Sequence, residues 1–235
     1  MPKMVGLSRN IKMPWLNKAV ELEAEDLTIE EKKAQLNEYL SFEIESPTVL
    51  RKTREILLNV WSYDNDYSPK LREEALQLVK KYPEDRMMMH WCMMLAAYPV
   101  FVDVCRLIGK MSEFQDELTT AQIKKKLYDE WGERSTLHHS LDKLLATLVD
   151  LGALIRKKPG KYHVARIPVD KPDVADFMVY AVMLIDDAGY YSMQELRNFD
   201  HLFPFQYDIS REQVTADQRF ETSNFGGQMT VAVRG

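Results

Sequence analysis

Glycine and cysteine are both scarce in this sequence, and each scarcity excludes a class of site. Nine glycines among 235 residues argue against glycine-rich loops that cradle phosphates, and P-loop, dinucleotide-binding and nucleophile-elbow motifs are absent. The two cysteines, Cys92 and Cys105, lie in apolar surroundings, which predicts buried, reduced thiols and no disulfide. We therefore expect a protein without enzyme activity, with no catalytic residues, no cofactor and no small-molecule substrate.

Apolar runs of membrane-spanning length are also missing. The most apolar stretch, from Met87 to Ile108, contains Pro99, Asp103 and Arg106, whereas a spanning helix needs roughly 20 consecutive apolar residues. We interpret this stretch as two buried helices hinged at Pro99. The N-terminus has no apolar run typical of a signal peptide, so we expect a cytoplasmic protein with no membrane contact.

A metal site is not expected either. His90 lies in the segment MMMHWCMM, where no second ligand stands at metal-binding spacing, so a methionine-rich packing surface is the better interpretation. His138 and His139 are adjacent, which places them about 100° apart on a helix and prevents both from binding one metal ion.

Helix signals dominate the first half of the chain. Thr28 with Glu31 forms a capping box, and Ser46 and Ser68 each precede a proline, which predicts a capping serine before the first helical residue. Apolar residues then recur at helical spacing as far as about Met111. These features indicate an N-terminal helical bundle over residues 1–117.

The pattern changes between residues 118 and 168. Thr119 with Gln122 is expected to cap a helix that Gly132 ends, and Ser135 to cap a second helix that Gly152 ends. Two helices across a short turn are typical of a helix-turn-helix. The segment LIRKKPGKYHV follows, and its Pro-Gly pair suits a type II turn between two short strands. A central winged helix-turn-helix is therefore predicted.

The last predicted unit, residues 169–235, is a small α+β unit. A buried helix from about Asp173 is followed by two short helices capped at Ser192 and Ser210, and by a hairpin across Gly226. This order resembles a second winged-helix-like unit, although its hairpin has no basic tip. The fold class expected for the whole chain is mainly α.

Charge is distributed unevenly along the chain. Residues 118–168 contain ten lysines and arginines against five acidic residues, or +5, which leaves −10 for the rest of a chain with a formal net charge of −5. Local positive charge of this kind favours contact with phosphate, because phosphate contacts provide most non-specific affinity for DNA.

Candidate DNA-contacting residues follow from the helical and strand spacing. The leucines of the second helix face inward, which leaves polar side chains, Thr147 among them, facing outward, and the first turns of such a helix enter the major groove. The predicted DNA-binding residues are Arg134, Thr136, His138, His139 and Lys143 of the helix and Arg156, Lys157, Lys158 and Lys161 of the wing. A solvated basic surface, or a winged helix that docks a protein, would explain the same pattern.

Three segments together resemble the BrxA proteins, small components of BREX anti-phage systems in bacteria. They are SPTVLRKTREI, WCMMLAAYPVFVDVCRLIGK and DEWGERSTLHHSLDKLLATLVDLGALI, and the resemblance spans roughly residues 40–156. It implies a helical fold with a winged-helix element, binding of double-stranded DNA and a non-catalytic role beside a methyltransferase and other defence subunits. The tail beyond residue 170 departs from the family.

The leading hypothesis is therefore a non-enzymatic protein that binds double-stranded DNA in a bacterial phage-defence complex. The first alternative is an adaptor that holds the larger subunits of such a complex together through its acidic body and its uncharged C-terminal hairpin. The second is a transcription regulator, which would need a dimer, and the sequence shows no heptad seam for one.

Overall fold

The computed structural model describes residues 6–132, 135–186 and 188–234, without the side chains of residues 135, 136 and 225. This part of the chain is mainly helical, with three small sheets. The first six helices are α1 (Met13–Glu23), α2 (Ile29–Ser41), α3 (Pro47–Trp61), α4 (Ser68–Lys81), α5 (Arg86–Ala97) and α6 (Pro99–Ser112). Helix α1 lies before the region in which helices were predicted.

Most of the predicted helix caps are confirmed. Complete capping boxes begin at Thr28, Thr119, Ser192 and Ser210, and the Ser46 hydroxyl accepts the backbone N–H of the residue three positions later. These side chains satisfy N–H groups that the first helical turn leaves unpaired.

The cap predicted at Ser68 is wrong. Ser68 is itself the first residue of α4, and its hydroxyl donates to the backbone carbonyl of Tyr63. The side chain of Asn65 instead accepts the backbone N–H groups of Tyr67 and Ser68, at 2.8 Å each. The turn before α4 is therefore organised by an asparagine that hydrogen-bonds its own loop.

Helices α5 and α6 form the centre of the core. Both cysteines are free and buried there, as predicted. His90 is also buried, where it accepts a hydrogen bond from the Trp61 indole at 3.1 Å and lies 2.9 Å from the amide oxygen of Asn17. Burial lowers the pKa of His90 to about 3, so this imidazole is a neutral packing group.

The middle unit combines helices with a three-stranded sheet. It contains β1 (Leu118–Thr119), α7 (Thr120–Trp131), α8 (Ser135–Asp150), β2 (Leu154–Lys158) and β3 (Lys161–Val164). The strand order is β1-β3-β2, and both pairings are antiparallel. Helix α8 begins at Ser135, the residue expected to precede it.

The final unit has a similar order of elements, with one further strand and a 3₁₀ turn between its two short helices. It contains α9 (Pro172–Ile185), β5 (Tyr191–Ser192), α10 (Met193–Leu196), β6 (Phe205–Gln206), α11 (Arg211–Ala216), β7 (Phe220–Phe225) and β8 (Gln228–Val233). Its sheet has the order β5-β8-β7, so a short strand again pairs with the second strand of a hairpin. In both units a helix precedes the short strand, and two helices separate that strand from the hairpin.

Strand pairing and a close helix contact connect the final unit to the elements before it. Strand β4 (Ile167–Pro168) pairs in parallel with β6. Gly109 in α6 packs directly against the backbone of Asp200, in a 3₁₀ turn that spans Asp200–Leu202. One buried apolar cluster continues through all three predicted units, and the predicted boundaries at residues 117 and 168 stay predictions.

An arginine joins the C-terminal hairpin to the first bundle. Arg219 Nη1 donates to both carboxylate oxygens of Glu74 in α4 at 2.6 Å, and Nη2 lies 2.5 Å from Asp217 Oδ2. The guanidinium also stacks over the ring of Tyr180, 4.8 Å from its centroid. Burial, together with the charge of Asp217, raises the pKa of the neighbouring Asp176 to about 6.

The contact at Gly109 has a testable cost. A methyl group at this position would fall well inside van der Waals distance of the Asp200 backbone carbonyl. Alanine favours a helix over glycine by about 1 kcal/mol, but we expect the clash to dominate, so that Gly109→Ala lowers the free energy of unfolding by about 1–3 kcal/mol. Gly189→Ala is the control in denaturant unfolding, because nothing lies within 4 Å of the added methyl. Equal stability of the two variants would contradict this interpretation.

The carboxyl of Asp176 makes stability depend on pH. The pKa of Asp176 is about 6 in the folded protein and 3.8 for an aspartate in an unfolded chain. As pH falls, the folded chain therefore binds this proton at a higher pH than the unfolded chain does. The group therefore favours folding at pH below 3.8, and this contribution is lost as pH rises through 6. We expect Asp176→Asn to be more stable than the parent at pH 8, with the difference shrinking toward pH 4. Denaturant midpoints at both pH values measure it, and the exposed Asp66→Asn is the control.

Candidate nucleic-acid interface

The segment predicted as a wing, residues 154–164, is a two-stranded antiparallel ribbon with a basic tip, and it is called the wing below. Gly160 has a φ of +73°, the left-handed conformation expected at the third position of the predicted turn. Arg156 lies opposite Tyr162, Lys158 lies opposite Lys161, and a bulge separates the two pairs. Strand β2 extends to Lys158 and β3 ends at Val164.

Three of the predicted wing residues present their charges to solvent. Arg156, Lys157 and Lys158 are exposed, and none of them forms an ion pair with another described residue. Lys161 differs, because its ammonium lies 2.5 Å from Glu117 Oε1. This bond holds the pKa of the Glu117 carboxyl below its ordinary value. The positive charge of the wing is therefore concentrated in three consecutive side chains of β2.

Helix α8 presents a mixed face. His138, His139 and Lys143 are exposed, as the leucine spacing predicted. Asp142 and Asp150 lie on the same exposed face. Asp142 follows His138 by four residues, so helical spacing alone places its carboxylate on the exposed face. The net charge of +5 for residues 118–168 does not reveal this carboxylate.

A short polar network ties α8 to α7. The Tyr128 hydroxyl lies 2.8 Å from His138 Nδ1, and Asp142 Oδ1 lies 2.8 Å from the ammonium of Lys124. His138 Nε2 is 4.0 Å from the other oxygen of Asp142. The exposed carboxylate of Asp142 therefore offsets part of the positive charge of α7.

A groove of about 340 Å³ separates α8 from the wing. Asp142 and Asp150 line it from the helix, and Arg156 and Tyr162 line it from the sheet. An approaching phosphate would meet carboxylates on one wall and a guanidinium on the other, so electrostatic attraction is stronger at the wing than along the helix.

The outward orientation predicted for Thr147 is wrong. This side chain is fully buried, and its hydroxyl accepts the backbone N–H of Ile11 at 2.8 Å. The adjacent Asn10 donates to Asp150 at 2.7 Å. An N-terminal segment thus crosses the back of α8, a contact between residues more than 130 positions apart that helical spacing cannot reveal.

The structure does not describe the side chains of two predicted DNA-binding residues. Arg134 lies outside the described residues, and so does the side chain of Thr136. The described residues contain no group of three histidine, cysteine or acidic side chains able to hold a metal ion.

The helices of the described ranges are too short or too polar, taken singly, to cross a bilayer. The segments Pro83–Ala97 and Pro99–Ser112 reach the required length and composition only as a pair, and the chain bends by 118° between them.

Comparisons with known proteins found no similar protein. No protein-family model matches the chain, and no match is found among curated proteins or among solved structures.

The contact between Thr147 and Ile11 is testable by one substitution. Thr147→Val keeps the shape of the side chain but removes the hydroxyl, so the buried N–H of Ile11 loses its partner. We expect the free energy of unfolding to fall by about 1–3 kcal/mol, measured by denaturant titration. Thr215→Val removes an exposed hydroxyl that donates to a helix carbonyl and is expected to change stability by much less. An equal loss of stability in both variants would show that the buried N–H is not the cause.

Proposed function

We propose that this chain binds double-stranded DNA through a winged helix-turn-helix formed by α6, β1, α7, α8, β2 and β3. It acts as a non-enzymatic, cytoplasmic component of a BREX-like bacterial phage-defence system. The observation that carries the proposal is the row of exposed cations at Arg156, Lys157 and Lys158, which form no ion pair with a described residue, on a chain that is otherwise acidic.

The order of elements supports the winged-helix assignment. A helix, a short strand and two more helices precede a hairpin whose second strand is central in the sheet. In helix-turn-helix proteins the second helix of the motif enters the major groove. Here that helix is α8, and the wing stands beside it across the groove that Arg156 lines.

The proposed binding mode divides the contacts by type. Arg156, Lys157 and Lys158 contact phosphates, which positions the protein and makes affinity depend on salt. His139 and Lys143 on the exposed face of α8 reach base edges in the major groove. Asp142 lies beside them on the exposed face and repels phosphate, so it favours a helix seated deep in the groove over one that lies on the backbone.

The role in defence rests on the sequence resemblance described above. The other subunits of a defence complex are the expected protein partners, and the strongly acidic remainder of the chain is the surface available to them. The sheet order β5-β8-β7 in the final unit, which matches β1-β3-β2 in the middle unit, supports a second winged-helix-like unit. Its hairpin has no basic tip, so it suits contact with a protein rather than with DNA.

An adaptor without DNA-binding activity is the second candidate. The two carboxylates on the exposed face of α8 favour it, because a helix that docks a protein has no need of a positive face. In that case the wing would serve a protein partner.

Fluorescence anisotropy of a labelled random-sequence duplex, repeated from low to physiological salt, tests the proposal. We expect substitution of Arg156, Lys157 and Lys158 by glutamine to reduce the log-log salt slope by about 2 to 3, at roughly 0.9 for each phosphate that is no longer neutralised. The control replaces Arg51, Lys52 and Lys70 by glutamine, an identical change of charge at exposed positions of the first bundle.

The two variants separate a local interface from an effect of total charge. Loss of binding in the wing variant alone supports the proposed surface. Equal reductions in binding would mean that net charge alone governs it. Absence of binding by the parent protein at low salt would overturn the proposal and leave the adaptor as the better explanation.

A further inference from the structure

A polar cleft lies between the middle and final units. Its volume is about 590 Å³, which is within the range of ligand-binding sites in proteins. The end of β3 and the residues that follow it form one wall, and the segment from Arg197 to Tyr207 forms the other. The cleft therefore exists only because β4 pairs with β6 and α6 packs on the 3₁₀ turn.

Two guanidinium groups line this cleft from opposite units. Arg166 follows β3, is exposed, and forms no ion pair with any residue that the structure describes. Arg197 follows α10, and its Nε donates to the backbone carbonyl of Ile209 at 3.0 Å and lies 3.4 Å from Asp208 Oδ1. These contacts orient the Arg197 side chain through Nε alone, so its Nη groups are available to a ligand.

The nearby carboxylates compensate part of this charge, since Asp208 is paired with Arg197 while Arg166 has no ion pair with a described residue. Asp116 is the one acidic residue that lines the cleft, among the residues described, and it is exposed. Glu117 is already held by Lys161, and Glu113 accepts a hydrogen bond from Asn198 at 3.1 Å. The half-buried imidazole of His163 adds a further nitrogen donor or acceptor to the wall. The lining thus offers two guanidinium groups against one solvated carboxylate.

The position of the cleft relates it to the wing. Lys161 begins β3 beside the basic tip, and Arg166 lies five residues further along the chain. At about 3.3 Å per extended residue this distance is roughly 17 Å. A DNA strand rises about 3.4 Å per nucleotide, so the wing tip and the cleft are about five nucleotides apart. This separation is shorter than the binding site of a typical DNA-binding module, so the distance is compatible with contact of one duplex at both places.

We propose that the cleft between the two units is a phosphate-binding site, in which Arg166 and Arg197 hold a phosphate of the duplex that the wing binds. This inference rests on the proposed function. Arginine suits the role because its planar guanidinium pairs with phosphate through two parallel hydrogen bonds. The phosphate of a free nucleotide has the same chemistry, so the experiment must distinguish these two sources.

The first measurement is the salt dependence of duplex binding by Arg166→Gln. Because Arg166 makes no ion pair with the described residues, this substitution removes charge at little structural cost, and we expect the log-log slope to fall by about 0.9. Arg211→Gln is the matched control, since Arg211 is exposed at the start of α11 and does not line the cleft. Arg166→Gln/Arg197→Gln should lower the slope further, and its thermal unfolding is recorded to confirm that it is folded.

Calorimetric titration with ATP in the absence of metal ions, on the parent and on Arg166→Gln, identifies the source of the phosphate. A reduced DNA slope without ATP binding supports a duplex phosphate. ATP binding that Arg166→Gln abolishes, with an unchanged DNA slope, supports the phosphate site but assigns it to a free nucleotide. An unchanged DNA slope without ATP binding overturns the inference. If the wing variant then still loses DNA binding, the proposed function stands without the cleft; if it does not, both fail.

Discussion

The packing of the segment around Asp200–Phe205 onto α5 and α6 is the contact on which the arrangement of the molecule depends. Trp91 is its centre: the indole donates to the backbone carbonyl of His201 at 2.9 Å and meets the rings of Phe101, Phe203 and Phe205 edge to face. Gly109 allows the 3₁₀ turn to approach α6 at backbone distance. Helix α6 therefore contacts α5 in the central core, α7 in the middle unit and the 3₁₀ turn of the final unit.

This shared core explains how an acidic protein can present a basic surface. The cations of β2 lie on a hairpin at the surface, whereas several cations of the body, Lys32 and Arg54 among them, are paired with carboxylates. Arg219 is the clearest case, because Glu74 and Asp217 hold its guanidinium between the first bundle and the C-terminal hairpin. Side-chain charges that form such ion pairs join parts of the fold, whereas charges without an ion pair can bind a ligand.

The candidate site was predictable to different degrees in its different parts. The hairpin of β2 and β3 followed from a Pro-Gly turn between short strands, and the exposure of Arg156, Lys157 and Lys158 agrees with that prediction because a tight hairpin tip has little to pack against. The face of α8 was predictable only in part. Leucine spacing identified its buried side, but Thr147 is buried by an N-terminal segment distant in sequence, and Asp142 places negative charge among the expected donors.

Local sequence alone determined the helices, their capping boxes, the hairpins and the buried methionine-rich centre, because periodicity and capping are interactions between residues only a few positions apart. Tertiary structure decided what these elements face. The pairing of β4 with β6, the contact at Gly109, the burial of Thr147 and the cleft between Arg166 and Arg197 each join residues at least 30 positions apart. No local pattern specifies such contacts, since they arise only when the elements pack into a common core.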